Sequence, residues 1–383
     1  MKNQEIKILS LGCRLNALEA EKIRAMLRTA GVGPAIVVNT CSVTNEAQAQ
    51  SRQLFHKIMR ENPGAPAFVT GCGATLRPGD FDGAAVIANK DKFNLAAYNL
   101  KQNGNEVAVT PAQAGVHCQP PRHNLSVMNC DKAMDPGLRR GDEFSMLTRD
   151  KETLRVASFS KMQTKGFVQI GDGCDRACAY CITRILRGRA VCFSYERILA
   201  DARALVENGY EEIILTGVNI ADYSIHNSQF IIHNLAELCR RLLDDLPGMR
   251  ALTLSSLDPA GDIESILDLI AVEPRMTRHL HLSVQSGSDE VLRRMGRRHT
   301  RERIRQIWNY AKCQPGGAFF DKKRRPAKPD NYSPRSGEGV FHRNTPHQAV
   351  PAITFSWDII CGFPGETDEL FNDTLALARE LRP

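Results

Sequence analysis

Three cysteines within eight residues are the strongest chemical signal in the chain. Cys174, Cys178 and Cys181 stand in the run Gly-Asp-Gly-Cys-Asp-Arg-Ala-Cys-Ala-Tyr-Cys, directly after an apolar stretch at 166–170. Thiolates at this C-x-x-x-C-x-x-C spacing can bind three irons of a cubane cluster from one loop, whereas ferredoxin-type clusters use four cysteines. The fourth iron would then have no protein ligand. The spacing therefore predicts a cluster that binds a substrate rather than one that only stores electrons.

A zinc knuckle is the alternative interpretation of these cysteines. Zinc sites usually pair C-x-x-C with a second pair of Cys or His residues nearby, and no such pair follows Cys181 closely. The spacing favours iron over zinc.

A second set of three cysteines lies in the first third of the chain. Cys13, Cys41 and Cys72 each follow a predicted strand directly, next to glycines that allow a tight turn. In an open parallel sheet the loops after the strands gather at one edge and form the ligand crevice. These cysteines are therefore expected to converge on a second cluster with one open iron. The alternative is three unrelated buried residues, since free cysteine behaves as a small hydrophobe.

The elements that would position these cysteines form two alternating series of strands and helices. In the first series, short β-branched runs predict strands, and amphipathic stretches between them predict helices. The predicted strands are 8–11, 35–39, 67–70 and 84–88, with helices at 17–30 and 46–60. Alternation of this kind predicts an open, largely parallel α/β sheet.

The second series begins at Gly166 and contains five βα units. Strands are predicted at 166–170, 212–217, 251–257, 279–285 and 354–361, and helices at 194–208, 230–246, 262–272, 301–312 and 367–381. Five such units predict a (β/α) barrel or partial barrel with its active groups on the loops after the strands. The loop with Cys174 follows the first of these strands, where that rule places chemistry.

Two stretches interrupt this pattern and are interpreted as insertions or linkers. Residues 111–150 and 314–351 are rich in polar and turn-forming residues and show no apolar period. The second stretch contains the basic run Lys322-Lys323-Arg324-Arg325, which could bind RNA but is more typical of a solvated surface. The expected domains are 1–110 for the first sheet and 151–383 for the barrel, which the second stretch interrupts.

The overall composition limits the class of protein. The chain has 383 residues, a formal net charge of +7 and twelve cysteines, and its length suits two or three domains. It has no signal-peptide layout and no apolar run long enough to span a bilayer. Because disulfides do not persist in the cytosol, many cysteines in a cytoplasmic chain favour metal ligands. The mild positive charge permits an anionic partner such as RNA.

The chain resembles the radical S-adenosylmethionine (SAM) superfamily through the Cys174 loop and Tyr180. With the three motifs around Cys13, Cys41 and Cys72, it further resembles the methylthiotransferase family, which inserts sulfur and a methyl group at an unactivated C–H carbon. Additional matching segments are 187–189, 212–219, 254–259, 279–288 and 362–367. The likeness covers nearly all of the chain outside the two predicted insertions.

This resemblance implies cofactors, ligands and partners. It implies two 4Fe–4S clusters, one on each cysteine triplet, and SAM. It implies SAM contacts at the ends of the second and fourth barrel strands, namely Thr216, Gly217, Ser283 and Gln285. It also implies action on the tRNA anticodon loop in the cytoplasm, with a reductant such as flavodoxin or ferredoxin. Arginines expected to meet RNA phosphates are Arg187, Arg189, Arg293, Arg294, Arg297 and Arg298.

The amino-acid sequences of three segments suggest a subgroup of the family. Segments 38–47, 255–259 and 293–300 are most similar to the bacterial members that act on threonylcarbamoyladenosine beside the tRNA anticodon. Members that modify isopentenyladenosine in tRNA, or an aspartate of a ribosomal protein, are the alternatives.

The C-terminal end departs from the family pattern. Family members continue into a last barrel strand and a small RNA-binding β-barrel, the TRAM domain, whereas this chain stops at Pro383. We expect both to be absent, leaving an unpaired edge on the fifth strand and weak or no tRNA modification by this chain alone. A further alternative is therefore a non-catalytic iron–sulfur remnant. The other six cysteines have no ligand-like spacing and are expected to be structural or incidental.

Overall fold

A computed structural model describes residues 6–42, 44–98, 165–226, 231–314 and 352–383. Residues 111–150 and 315–351, predicted as insertions, lie outside the described residues.

The first α/β unit is a four-stranded parallel sheet in the order β1-β2-β3-β4. Its strands are β1 (Lys7–Ser10), β2 (Ile36–Thr40), β3 (Ala67–Gly71) and β4 (Ala85–Val86), and its helices are α1 (Arg14–Thr29), α2 (Asn45–Glu61) and α3 (Cys72–Leu76). Because the strands are parallel and follow one another in space, their carboxyl ends lie along one edge. The predicted parallel sheet is confirmed.

Alternation along β2 explains the layers of this unit. Val37 packs with α1 residues such as Ile23 on one face of the sheet, while Val38 packs with Phe55 of α2 on the other face. Successive side chains of a strand point to opposite faces, so a fully apolar strand is stable only when both faces are covered. The strand is therefore buried along its whole length.

The second α/β unit is a curved series of five parallel strands. Its strands are β5 (Lys165–Gln169), β8 (Glu212–Thr216), β11 (Ala251–Leu254), β12 (His279–Gln285) and β13 (Thr354–Ile359). Strands β5, β8 and β11 form one sheet, and β12 and β13 form another. A parallel bridge between Leu257 and Leu282 joins the two sheets. The spatial order thus follows the chain order, as the predicted partial barrel requires.

Helices cover the outer face of these strands. They are α4 (Thr183–Arg187), α5 (Tyr195–Glu207), α6 (Leu235–Asp245), α7 (Ile263–Val272), α8 (Asp289–Arg294), α9 (Arg301–Cys313) and α10 (Asp368–Leu381). Five of them begin after a residue whose side chain accepts a hydrogen bond from the first turn: Ser194, Asn234, Asp262, Thr300 and Thr367. Such caps satisfy donors that the helix leaves unpaired.

Short antiparallel pairs complete the second unit. β6 (Gly171–Asp172) pairs with β7 (Val191–Cys192), and β9 (Ile225–His226) with β10 (Ile231–Ile232). The pair β6–β7 encloses the segment that carries Cys174, Cys178 and Cys181. Among the described residues, no helix has the length and apolar character needed to cross a bilayer.

The long elements lie close to their predicted bounds, and the short ones were missed. The helix predicted at 230–246 begins at Leu235, because Asn234 caps it. The strand predicted at 84–88 spans only Ala85–Val86. Helices α3, α4 and α8 have five or six residues each, too few to show a helical period.

Candidate functional site

Glycines and backbone hydrogen bonds hold the 174–181 loop against the end of the barrel. Gly173 has a φ of +68°, and a Cβ there would lie 1.9 Å from the carbonyl oxygen of Arg189. Only glycine fits this approach. The amide of Cys174 donates to the carbonyl of Gly188 at 3.1 Å, and the amide of Ala179 donates to Met295 at 2.9 Å. The loop is thus fixed from both sides.

One guanidinium contacts the sulfur of this loop directly. Arg297 Nη1 lies 3.7 Å from Cys178 Sγ, and its Nη2 donates to Asp258 Oδ1 at 3.0 Å and to the carbonyl of Ser283 at 2.8 Å. Arg176, between the first two cysteines of the loop, donates to the other oxygen of Asp258 at 3.1 Å. Asp258 therefore holds two arginines around the cysteine loop.

The structure gathers the second cysteine triplet at the carboxyl edge of the first sheet. Gly12 has a φ of +101°, and a Cβ there would lie 2.5 Å from Cys41 Sγ, so the loop of Cys13 runs against Cys41. A Cβ at Gly73, next to Cys72, would lie 3.0 Å from the carbonyl of Cys41. The three strand-end loops therefore meet, as the parallel topology predicts.

Buried polar side chains fix the shape of these loops. Asn16 donates to the carbonyls of Leu11 and Thr40, and Asn39 donates to the carbonyl of Asn16 at 2.9 Å. Ser51 accepts from the amide of Cys41 at 3.1 Å. These bonds satisfy the irregular backbone that carries the cysteines, which would otherwise be costly to bury.

A buried ionic network connects the two α/β units beside the cysteine triplets. Arg187, at the end of α4 in the second unit, donates to Glu19 Oε1 of α1 at 2.8 Å, to Asp172 at 3.0 Å and to Asn16 at 3.2 Å. It also lies close enough to Cys72 to oppose the rise in the pKa of that thiol. Lys92 pairs with Glu19 at 2.5 Å. The side chains of Glu19, Lys92 and Arg187 are 0%, 2% and 3% exposed.

Electrostatics in this network favour the charged carboxylate. Burial alone would raise the pKa of Glu19, but Lys92 and Arg187 outweigh it, and the pKa of Glu19 is lowered. Burial raises the pKa of the Cys72 thiol, while Arg187 opposes that rise. Metal binding requires the thiolate, and the cation beside Cys72 favours it.

Each cysteine triplet has the thiol donors that an iron–sulfur cluster uses. Among the described residues, no group of three or more His, Cys, Asp or Glu side chains lies close enough together to hold one ion. In a cubane each cysteine binds a different iron, so its sulfurs stand further apart than the ligands of one zinc. The structure offers two sets of three free thiols, one set on the 174–181 loop and the other on three neighbouring strand-end loops.

The predicted SAM contacts lie at the carboxyl ends of β8 and β12. Thr216 ends β8 and is buried, and Gly217 packs so closely on Gly171 and Ile220 that a Cβ would collide. Gln285 ends β12 with a φ of 69°, in the left-handed region that non-glycine residues rarely adopt. Strain of this kind is concentrated at functional sites.

The arginines expected at RNA phosphates have different surroundings. Arg187 and Arg297 are 3% and 7% exposed and are committed to internal partners, so that expectation is wrong for these two. Arg293 and Arg294 pair with Glu290 on the surface. Arg189 and Arg298 are exposed.

Sequence reasoning missed a polar chain across β12 and β13. His281 contacts Ser356 Oγ at 2.6 Å through Nδ1 and Asp358 Oδ2 at 2.8 Å through Nε2, and His279 contacts the same serine at 2.9 Å. Alternation along the two strands places these side chains on one face. The five-residue alternation His-Leu-His-Leu-Ser was the available signal.

The four other cysteines among the described residues show no ligand arrangement. Cys192, Cys313 and Cys361 are exposed free thiols, and Cys239 is a buried one whose pKa burial raises to about 12. Cys118 and Cys130 lie outside the described residues.

Comparisons with known proteins match both parts of the chain that carry the cysteine triplets. The Radical SAM superfamily model matches residues 168–312, and the model of Uncharacterized protein family UPF0004 matches residues 5–87. The first match contains the Cys174 loop, and the second contains Cys13, Cys41 and Cys72.

Curated relatives extend over nearly the whole chain. The threonylcarbamoyladenosine tRNA methylthiotransferase MtaB of Rickettsia prowazekii is 29% identical, over 99% of this chain and 73% of its own length. The protein of the same name from Bacillus subtilis is 26% identical, over 97% of this chain and 70% of its own. The tRNA-2-methylthio-N(6)-dimethylallyladenosine synthase of Geotalea uraniireducens is 27% identical, over 97% and 72%.

The chain carries a radical SAM domain and is similar over nearly its whole length to radical SAM methylthiotransferases. Members of this class are enzymes that use SAM and 4Fe–4S clusters, and this methylthiotransferase shares those cofactors. A solved radical SAM methyltransferase, TsrM from Kitasatospora setae, aligns with 94% of this chain and 63% of its own at a TM-score of 0.49 and 13% identity.

Proposed function

We propose that this methylthiotransferase converts threonylcarbamoyladenosine next to the tRNA anticodon to its 2-methylthio derivative. The observation that carries the proposal is the pair of cysteine triplets, with Arg187 of the second unit bonded to Glu19 of the first unit beside Cys72. Several relatives at 26–29% identity bear the name of this activity.

In this proposal each cysteine triplet holds one cluster. Cys174, Cys178 and Cys181 hold the cluster that binds SAM, and Cys13, Cys41 and Cys72 hold the second one. When bound, the clusters and SAM supply the radical, the sulfur and the methyl group. The protein supplies binding, orientation and exclusion of water.

The surrounding side chains have separate tasks. Thr216, Gly217, Ser283 and Gln285 contact SAM from the carboxyl ends of β8 and β12. Arg297 holds the Cys178 side of the loop in place and donates toward its sulfur, since it also bonds Asp258 and the carbonyl of Ser283. Arg187 keeps α4 of the barrel against the first sheet.

RNA binding is assigned to exposed cations near the cysteine loops. Arg184 and Arg189 are exposed, and neither side chain has a hydrogen bond or an ion pair within the part of the chain that the structure describes. Free guanidinium groups are suited to phosphates, which dominate affinity for RNA. The proposal includes a cytoplasmic location, where tRNA is available, and a reductant such as flavodoxin or ferredoxin.

The alternative substrate is dimethylallyladenosine in tRNA. Relatives named for that activity are 25–27% identical to this chain, so identity alone separates the two poorly. Identifying the product nucleoside decides between them.

Mass spectrometry of tRNA nucleosides tests the proposal. The chain is expressed in a host that lacks its own threonylcarbamoyladenosine methylthiotransferase, with a Cys178→Ala variant as the matched control. We expect the 2-methylthio derivative of threonylcarbamoyladenosine with the wild type and none with the variant. A gain of only the dimethylallyl product would establish the alternative substrate, and no gain of either nucleoside would contradict the proposal.

A further inference from the structure

An open cleft lies beside the cysteine loop at the mouth of the barrel. Its volume is about 490 Å³, and it is lined by Arg176, Asp222, Arg298, His299, Thr300 and Arg303 together with Ala260. These residues come from the segments that follow β5, β8, β11 and β12, which is where an α/β barrel places its active groups. The volume lies in the range typical of small-ligand sites.

Most of the charge in this cleft is already neutralised. Arg176 is bound by Asp222 at 2.9 Å and by Asp258 at 3.1 Å. Arg303 is bound by both oxygens of Glu264 and by the carbonyls of two neighbouring residues.

Arg298 is the exception. Its side chain is exposed, and within the described ranges it has neither a hydrogen bond nor an ion pair. The cleft therefore presents one uncommitted guanidinium to a ligand.

Two polar side chains, those of His299 and Thr300, stand beside Arg298 in the cleft. His299 Nε2 lies 3.0 Å from the carbonyl of Val284, so Nε2 carries the hydrogen and Nδ1 is an acceptor. Nδ1 is buried 3.8 Å from Asp258 Oδ1 and has no hydrogen-bond partner among the described residues. The hydroxyl of Thr300 accepts from the amide of Arg303 at 3.2 Å, which leaves its own hydrogen free to donate.

We propose that this cleft receives the threonine part of the modified adenosine, with Arg298 pairing with its carboxylate. This inference rests on the proposed function, since the threonylcarbamoyl group carries a carboxylate and a hydroxyl. A dimethylallyl group is a hydrocarbon and would cover the same polar groups without replacing their bonds to water, which is costly. Ala260 is the only apolar residue among the seven that line the cleft.

The placement of two sequence segments supports the same assignment. Two segments whose amino-acid sequences separate the subgroups, 255–259 and 293–300, come together at this cleft. The carbonyl of Pro259 accepts a hydrogen bond from Arg303, and the cleft is lined by Arg298, His299 and Thr300. A guanidinium and a carboxylate form a charge-assisted pair that is both directional and strong. Arg298 would therefore select for the carboxylated base.

The test pairs a protein change with a change in the ligand. Synthetic anticodon stem-loops carry threonylcarbamoyladenosine or the same base with its carboxylate replaced by a carboxamide. Their affinities for the reconstituted full chain are measured by fluorescence anisotropy for the wild type, Arg298→Ala and Arg203→Ala. Arg203 is an exposed arginine of α5 that does not line the cleft, so its removal controls for the loss of one charge.

We expect Arg298→Ala to weaken binding of the carboxylate stem-loop roughly tenfold, the size of a charge-assisted bond. It should leave the carboxamide stem-loop unchanged, and Arg203→Ala should affect neither. Equal weakening of both stem-loops would assign Arg298 to backbone phosphate and overturn the inference, as would no weakening of either.

Two further readouts separate the possible failures. A change in SAM affinity in Arg298→Ala, with stem-loop binding intact, would assign the guanidinium to the carboxylate of SAM and overturn the inference while leaving the proposed function standing. If the wild type fails to methylthiolate the threonylcarbamoyladenosine stem-loop, the proposed function fails and the inference fails with it.

Discussion

Neutralising Glu19 should destabilise the protein far more than neutralising an exposed carboxylate. Glu19 is fully buried and pairs with both Lys92 and Arg187. In Glu19→Gln these two cations would remain buried, with only the partly exposed Asp172 beside them. Removing one partner from a buried ion pair costs about 3–5 kcal/mol. Since domains are stable by about 5–15 kcal/mol, the loss would be a large part of the total.

Two matched variants isolate the cause. Glu61 pairs with Lys57 at 4.0 Å on the exposed face of α2, and Glu61→Gln should cost no more than about 0.5 kcal/mol. Arg187→Met removes one cation but leaves the pair between Glu19 and Lys92, so we expect a smaller loss of about 1–3 kcal/mol from its hydrogen bonds.

Urea unfolding of the metal-free protein, followed by circular dichroism, measures these differences. The pH dependence supplies a second check, because the folded-state pKa of Glu19 is lowered below 4.5. Its stabilisation is therefore present above pH 4.5 and is lost as pH falls toward the folded pKa. The difference in the free energy of unfolding between wild type and Glu19→Gln should therefore become smaller as the pH falls below 4.5. A loss in Glu19→Gln no larger than in Glu61→Gln would refute the reasoning.

Three other predictions concern the cysteine loops and the cleft. Gly12→Ala should reduce iron loading by about half, because its Cβ would lie 2.5 Å from Cys41 Sγ. The control is Gly31→Ala, which has a φ of +64° and no atom within 4 Å of the added Cβ, and this variant should load iron normally. Equal iron content in the two variants would contradict the prediction. Burial and the charge of Arg297 lower the pKa of His299 to about 4, so wild-type stability should fall as pH drops from 7 to 5. This loss of about 2 kcal/mol in the free energy of unfolding should be absent from His299→Gln when both proteins are unfolded in urea. If the free energy of unfolding depends on pH in the same way in wild type and variant, the prediction is contradicted. Arg297→Ala should lower the midpoint potential of the adjacent cluster by roughly 40 mV, equivalent to about 1 kcal/mol. The reason is that a nearby cation stabilises the reduced form of the cluster. An unchanged midpoint potential in an EPR-monitored redox titration would contradict the prediction.

Strand ends were predictable from the sequence because they depend on local patterns. The apolar runs before Cys13, Cys41 and Cys72 set the strands, and parallel topology then places the cysteines at one edge. The Cys174 loop follows β5 for the same reason. The order of the strands along the chain and the spacing of their apolar residues were sufficient to predict that the cysteines of each triplet lie near one another.

The connection between the triplets was not predictable in this way. Arg187 was expected at the RNA surface, but its partner Glu19 lies 168 residues away in another unit, and no local period encodes such a contact. The same limit applies to Arg297 and Arg298. These neighbours in sequence have opposite surroundings, because one points to Asp258 and the other into the cleft.

The central claim is that the two cysteine triplets each hold one 4Fe–4S cluster. Its most direct test is iron analysis with Mössbauer spectroscopy on anaerobically reconstituted wild type, Cys72→Ala and Cys178→Ala. We predict about eight irons per chain in the wild type and about four in each variant, with a different cluster remaining in each. Zinc in place of iron, a single cluster in the wild type, or unchanged iron in Cys72→Ala would contradict the claim.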